Sequence, residues 1–351
     1  MKEPYLQNPT APSTEGIPSL KALPTRLTMR AIVQDRYGSP DVLELRDIDK
    51  PVVGDDDVLV RVHAAGVHIG DRHIMTGLPY MLRIVGFGLF APKFCVRGMD
   101  IAGMVEAVGQ NVTQFQAGDE VFGTCNGAFA QYACASQDKL APKPANLTFE
   151  QAAAVPTSAY TALQGLRDKG KIQPGQKVLI IGASGGVGIF AVQIAKFFGA
   201  EVTGVCSTGN VEMVRSIGAD HVIDYTQENF TKGELRYHLI LEMGGRRPLT
   251  EIRRALEPRG SLVLIGAEGG NRWLGGMDRW ILALLLSPFV RHKLGPLASM
   301  ERKEDLLFLK ELIEAGKIAP VIARTYLLSE VPEAMRYLEM GQVQGKVVIT
   351  M

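Results

Sequence analysis

The rhythm of apolar and polar positions changes near residue 150. From Met29 the apolar residues come in short blocks: Arg30 to Val33, Leu43 to Leu45, Val58 to Val62, Ala102 to Val108, Gly118 to Gly123 and Ala128 to Tyr132. Turn formers such as Gly38-Ser39-Pro40 and Gly54-Asp55-Asp56-Asp57 separate them, which predicts a β-rich domain. Beyond Glu150, helical stretches alternate with fully apolar strands at Val178 to Ile181, Val202 to Val205, Leu239 to Leu241 and Ser261 to Ile265. That alternation predicts a doubly wound parallel sheet. A helix near Lys303 to Ala315 follows, and Lys346 to Ile349 reads as a strand that returns to the first domain. The expected organisation is an arm over 1–28, a first domain over 29–150 and 318–351, and a second over 151–317.

One unit carries most of the chemistry. The strand Val178 to Ile181 meets Gly182-x-x-Gly185-x-x-Gly188 and passes directly into a helical pattern. Val187, Phe190, Ala191, Ile194, Ala195 and Phe198 fall on one helix face, and Gly199 ends it. A βαβ unit of this kind sets unpaired backbone N–H groups and a positive dipole end beside a turn without side chains, which suits a pyrophosphate. The spacing is not the common G-x-G-x-x-G, so the signal rests on the flanking strands and helix. The alternative is an ordinary glycine turn in a domain that binds no phosphate.

Composition narrows the field. A chain of 351 residues suggests two domains, and 46% apolar with 21% charged residues is ordinary for a globular protein. A net charge of +1 gives no reason to expect nucleic acid or an anionic membrane as partner. Four scattered cysteines without a C-x-x-C pair favour reduced thiols and a cytoplasmic location. The arm holds Pro4, Pro9, Pro12, Pro18 and Pro24 and no apolar core, so it does not read as a signal peptide. Trp280 to Val290 is the greasiest stretch, but it is short and broken by Pro288. A buried helix, a subunit interface or a pocket wall fits it better than a membrane span.

Several further motifs carry a resemblance. They are Ala64-Ala65-Gly66-Val67-x-x-x-Asp71, Gly98-Met99-Asp100-x-Ala102-Gly103, Gly118-Asp119-Glu120-Val121, Gly218-Ala219-Asp220-x-Val222-Ile223-Asp224-Tyr225 and Gly345-Lys346-Val347-Val348-Ile349. With the glycine turn, the chain from Met29 to Met351 resembles a zinc-independent medium-chain dehydrogenase/reductase of the quinone-oxidoreductase-like branch. The resemblance implies a GroES-like β-rich catalytic domain, a Rossmann domain, an active site in the cleft between them, a nicotinamide cofactor and a homodimer. Similar zinc enzymes carry a cysteine after the Ala-Gly-Val strand and then Gly-His-Glu, whereas here the segments read Gly66-Val67-His68-Ile69-Gly70-Asp71 and Gly98-Met99-Asp100. His63, His68 and His73 fit no three-ligand set, so no metal is expected.

Cofactor contacts are expected from Gly182, Ser184, Gly185, Gly186, Val187 and Gly188 in the turn, and from Ser207, Thr208 and Asn210 after the next strand. That strand ends in Cys206 with no acid to repel a 2′-phosphate, which favours NADPH. Tyr225 stands where similar reductases set a tyrosine against the adenosine phosphate, with strand-end packing as the alternative. Relatives usually add Arg or Lys at 209 or 210, which this chain lacks; Gln342, Gln344, Arg72 and the segment Glu242 to Arg246 also depart from their pattern. Thr161, Gly266 and Lys346 complete the expected set.

Hydride transfer to an enone or quinone needs no metal, but the developing oxyanion needs a donor. Candidates are His68, Asp71 and Tyr80. His68 replaces an Asn of the relatives and either donates a proton or fills its place; Asp71 either orders its loop or acts as an acid; Tyr80 donates or lines the pocket. A small hydrophobic substrate is implied by Leu78, Met81, Leu82, Ile84, Phe87, Leu89, Phe90, Trp273 and Trp280, which equally suit core or dimer contacts. A cyclase or isomerase with His68 as acid or base, or a cofactor-sensing or assembly protein with little catalysis, are the remaining readings.

Overall fold

The computed structural model describes residues 27–244 and 247–351. The expected arm, up to residue 26, and Arg246 lie outside them. Two sheets organise the chain. The first has seven strands, with Ile322–Leu327, Lys346–Thr350, Asp57–Val67, Asp100–Val108, Glu120–Thr124 and Leu140–Pro142 side by side and Tyr132–Ser136 also paired to Asp57–Val67. The last strand of the chain therefore sits against Asp57–Val67, antiparallel, with Val347 opposite Val67. Thr28–Val33 and Glu44–Asp49 form a separate antiparallel pair. The block expected over Ala128 to Tyr132 is a strand only from Tyr132. Gly127 turns at φ +88° and the Phe129 amide bonds back to Arg97 O, so residues 128–131 run as a buried connection.

The second sheet has six parallel strands, in the order His221–Asp224, Glu201–Cys206, Lys177–Ile181, Tyr237–Glu242, Leu256–Leu264, Lys293–Pro296. The chain starts in the middle, winds one way, then crosses to wind the other, so the strand order reverses beside Lys177–Ile181. Both faces of this strand are covered, which is why Val178 to Ile180 are wholly apolar and inaccessible. The helix Gly186–Phe197 is buried on more than the one predicted face. Ile189 and Val192 are as inaccessible as Phe190 and Ala191, because the helix packs on its sheet and also on the helix Pro156–Leu163.

The apolar stretch from Trp280 takes a different place from a buried helix. Met277–Leu286 is helical, yet Ala283 is its one buried residue, and Ile281, Leu282, Leu284, Leu285 and Phe289 face outward. It lies beside the edge strand Lys293–Pro296. No helix among the described residues is long and apolar enough to cross a membrane.

Candidate active site

The glycine turn lies at the reversal point. Gly182 adopts φ +89°, a conformation that favours glycine, and the amides of Gly182 and Ala183 both donate to Val205 O at 3.0 Å. Gly188 packs so tightly that a Cβ there would lie 2.1 Å from Gly182 O. Gly185 caps the helix without a side-chain acceptor, so the first-turn amides of Gly186, Val187 and Gly188 are left for a ligand. Around Gly185 the nearest atom to an added Cβ is 3.5 Å away, leaving room for a phosphate to approach the backbone. The turn is also braced from behind: Gly345 N donates to Ser184 O at 2.8 Å. The residues present therefore fit a dinucleotide.

Ser207, Thr208 and Asn210 follow the end of the strand Glu201–Cys206, where the adenosine is expected. Asn210 is buried, its amide donating to Ser207 Oγ at 3.0 Å while its Oδ1 has no partner. Thr208 pairs with Thr226, whose hydroxyl donates to Asp224 at 2.7 Å. Hydrogen bonding by Thr208 and Thr226 holds the Asp224 carboxyl below its ordinary range. The expectation of an edge without acid thus missed a carboxylate that folding brings in from the neighbouring strand. Tyr225 stands 52% exposed at this edge. Gln344 reaches across and donates to Gly209 O at 3.3 Å. Gly266 crosses directly over Met243 O at the sheet's carboxyl end.

Two expected contacts sit deeper. Thr161 is buried and donates to Thr157 O at 2.8 Å within its own helix. Lys346 is also buried, its ammonium 3.0 Å from Ser158 Oγ and 3.5 Å from Asp100 Oδ2, with side chains 1% and 0% exposed. Asp100 in turn accepts from the Thr157 amide and hydroxyl. This polar seam locks the catalytic sheet to the second domain directly behind the glycine turn. Nothing in the sequence pattern paired Lys346 with Asp100.

On the catalytic side, His68 and Asp71 form a reciprocal helix cap. The Gly70 amide donates to His68 Nδ1 at 3.0 Å, and the His68 amide donates to Asp71 Oδ2 at 2.9 Å. With Nδ1 accepting, the neutral ring carries its proton on Nε2. That nitrogen is buried, lacks a hydrogen-bond partner, and lies 3.7 Å from Asp71 Oδ2. Burial pushes the Asp71 carboxyl above its ordinary range, against the pull of His68. Tyr80 is placed farther out, edge-on to Trp273 at 5.3 Å and under the Arg83 guanidinium. Its amide donates to Arg272 O, and His73 Nε2 meets Glu268 at 2.9 Å, so this segment clasps the loop of the second domain.

Among the described residues no three His, Cys, Asp or Glu side chains converge as a metal site. A cavity of about 240 Å³ opens on the catalytic lobe next to Asp71. Of the apolar residues expected to line a pocket, Phe87 does so, while Ile84, Leu89, Phe90 and Trp273 face outward. Arg97, buried in its wall, was missed.

A GroES-like lobe closed against a dinucleotide-binding sheet defines a two-domain dehydrogenase. Residues 54–145 match the alcohol dehydrogenase GroES-like domain and residues 217–349 the zinc-binding dehydrogenase domain. The chain is 30% identical to the mitochondrial NAD(P)H oxidoreductase RTN4IP1 of Mus musculus, over 96% of this chain and 92% of that one. It is 30% identical to human quinone oxidoreductase, over 92% and 97%. A solved quinone oxidoreductase from Coxiella burnetii superposes with TM-score 0.80 at 28% identity, covering 93% of this chain and all of that one. The CurK enoyl reductase gives 0.78 at 26%, covering 92% and 99%. The chain belongs to the medium-chain dehydrogenase/reductase family. It is an oxidoreductase of the quinone- and enoyl-reductase type that works with a nicotinamide cofactor.

Proposed function

We propose that the protein reduces a carbon–carbon double bond conjugated to a carbonyl, or a quinone, without a metal, using NADPH. The observation that carries this is the cradle of first-turn amides at Gly186 to Gly188, held at the sheet reversal, in a structure where no three metal ligands converge among the described residues. When bound, the dinucleotide supplies a hydride equivalent. The protein's task is then to hold the substrate and balance the charge that grows on its carbonyl oxygen. His68 suits this, because its Nε2–H has no partner and its ring is fixed through Nδ1. Asp71 orders the loop by accepting from the His68 amide, which fixes the ring's position. Lys346, Asp100 and Thr157 act as positioning residues that keep the two domains in register.

The strand end at Cys206 and Ser207 supports NADPH, while Asp224 beside Thr208 opposes it. Titration of the protein with NADPH and NADH, read by nicotinamide fluorescence, decides the cofactor. Turnover of enones and quinones with the preferred cofactor, compared in His68→Asn, decides the reaction. Absence of binding to either cofactor would sink the proposal. The cyclase or isomerase reading has no counterpart among the relatives named above. We also propose a homodimer formed through the outward apolar face of Met277–Leu286 and the adjoining edge strand, which sedimentation tests.

A further inference from the structure

Arg97 is buried to 6% exposure in the wall of the 240 Å³ cavity. Its backbone is pinned on both sides, the amide donating to Ile32 O at 3.1 Å and the carbonyl accepting from Phe129 at 2.8 Å. The side chain is therefore projected from a fixed base. Among the described residues no ion pair forms to it, and its Nε is buried without a hydrogen-bond partner. A guanidinium cannot shed its charge, and the groups whose charge acts on it, Asp71 foremost, form no ion pair or hydrogen bond with it among the described residues, so its burial stays costly. Around it the cavity is apolar, with Ile74, Phe87, Val96 and Met99 in the walls.

The charge balance of the lining points the same way. Lys93 stands exposed at the mouth, and Asp71 is the lining's carboxylate. Asp71 already accepts from the His68 amide and stabilises that helix start. Burial also raises its affinity for a proton, which weakens it as a counter-ion. At roughly 30 Å³ per water, the cavity holds about eight water-sized groups, enough for a small organic acid.

We propose that this cavity binds a small apolar carboxylate, with the acid group held by the Arg97 guanidinium and the apolar body against Phe87, Val96 and Met99. One guanidinium matches one carboxylate through two parallel hydrogen bonds. A phosphate would call for a second buried cation, and Lys93 lies at the rim. Asp71 lines the cavity and lies 3.7 Å from His68 Nε2, so a molecule anchored at Arg97 that reaches Asp71 comes near the proposed donor. The substrate class is then an electron-poor alkene that carries its own carboxylate. This last step rests on the reductase reading; the acid site itself does not.

Calorimetric titration of the full-length, cofactor-free protein with cinnamate and with neutral cinnamamide tests the site. Cinnamate is expected to bind at least tenfold tighter. Arg97→Met should abolish that difference and leave cinnamamide unchanged, while Arg97→Lys should keep part of it. Equal affinities in the unaltered protein, no binding of either, or a preference that survives Arg97→Met would overturn the site. The first two outcomes need no variant, so a misfolded Arg97→Met does not rescue the idea. With NADPH present, 3-benzoylacrylate should show a lower KM than its methyl ester, and Arg97→Met should erase the gap. Tight cinnamate binding with no turnover of either compound would uphold the acid site and refute the carboxylate-bearing alkene as the substrate, leaving the reductase reading to the quinone and enone assays above.

Discussion

Replacing Gly188 by Ala tests how the glycine turn couples folding to binding. The added Cβ would lie 2.1 Å from Gly182 O, 2.7 Å from Ala183 C and 2.8 Å from Ala183 Cα. All three are backbone atoms, and none can swing aside. The turn is pinned by two amide bonds to Val205 O, so the helix must retreat. Ordinary contact begins at 3.4 Å, which sets the retreat at about 1.3 Å. Overpacking of this kind costs about 1–3 kcal/mol. Helix propensity returns up to about 1 kcal/mol of that, because alanine replaces glycine. The expected net loss is about 1–2 kcal/mol, near tenfold in the folding equilibrium. Binding should suffer as well, since the amides of Gly186 and Val187 move with the helix; displacement by about 1 Å can weaken a positioned interaction by about 100-fold. Gly185→Ala is the control. Its Cβ meets nothing closer than 3.5 Å, so stability should stay within about 0.5 kcal/mol while phosphate approach is blocked. Urea denaturation and nicotinamide titration of both variants read the two effects. If Gly188→Ala keeps full stability and affinity, or Gly185→Ala destabilises as much, the packing account is wrong.

Three further outcomes are expected. Lys346→Met should destabilise by about 3–5 kcal/mol, because Asp100 is left buried and uncompensated, and adding Asp100→Asn should restore much of the loss; a melting temperature unchanged by the single variant would refute the seam. Burial raises the Asp71 pKa above its ordinary value of 3.8, so the folded state holds this proton more tightly than the unfolded chain. Its unfavourable contribution at neutral pH should fade as pH falls through the folded pKa toward 3.8, and a carboxyl titration midpoint by carbon NMR at or below 3.8 would contradict this. Asp224→Asn should improve NADPH affinity several-fold more than NADH affinity, an advantage that shrinks at high salt; equal changes for both would place the 2′-phosphate elsewhere.

The sequence disclosed whatever is periodic or local. The strand Val178 to Ile181, the glycine spacing and the helix after it are contiguous, so their order alone announced the strand, turn and helix unit. The return of Lys346 to Ile349 was legible because a short apolar strand at the chain end needs a sheet to join. What stayed hidden depends on contacts between distant segments. Asp100 and Lys346 are far apart in the chain, and neither neighbourhood marks the other as its counter-charge. Asp224 came to stand beside Cys206 through pairing of its strand with Glu201–Cys206. Arg97 did leave a trace, as the one charge between Phe94-Cys95-Val96 and Gly98-Met99, but a single interruption of an apolar run has many explanations. The stretch from Trp280 shows the converse failure. Hydropathy measured its greasiness correctly and could not say that the grease faces outward.

The bond from Gly345 to Ser184 and the strand that follows it also bear on how the chain is made. The parallel sheet is contiguous in sequence and can close as soon as Lys293–Pro296 has been synthesised. The first domain, although earlier in the chain, must wait with residues 64–67 of the strand Asp57–Val67 unpaired on one side until Lys346–Thr350 has been synthesised. Synthesis order and completion order are thus reversed between the two halves. Removal of Gly345 to Thr350 would leave the first domain unfinished and, through Ser184, the glycine turn unbraced.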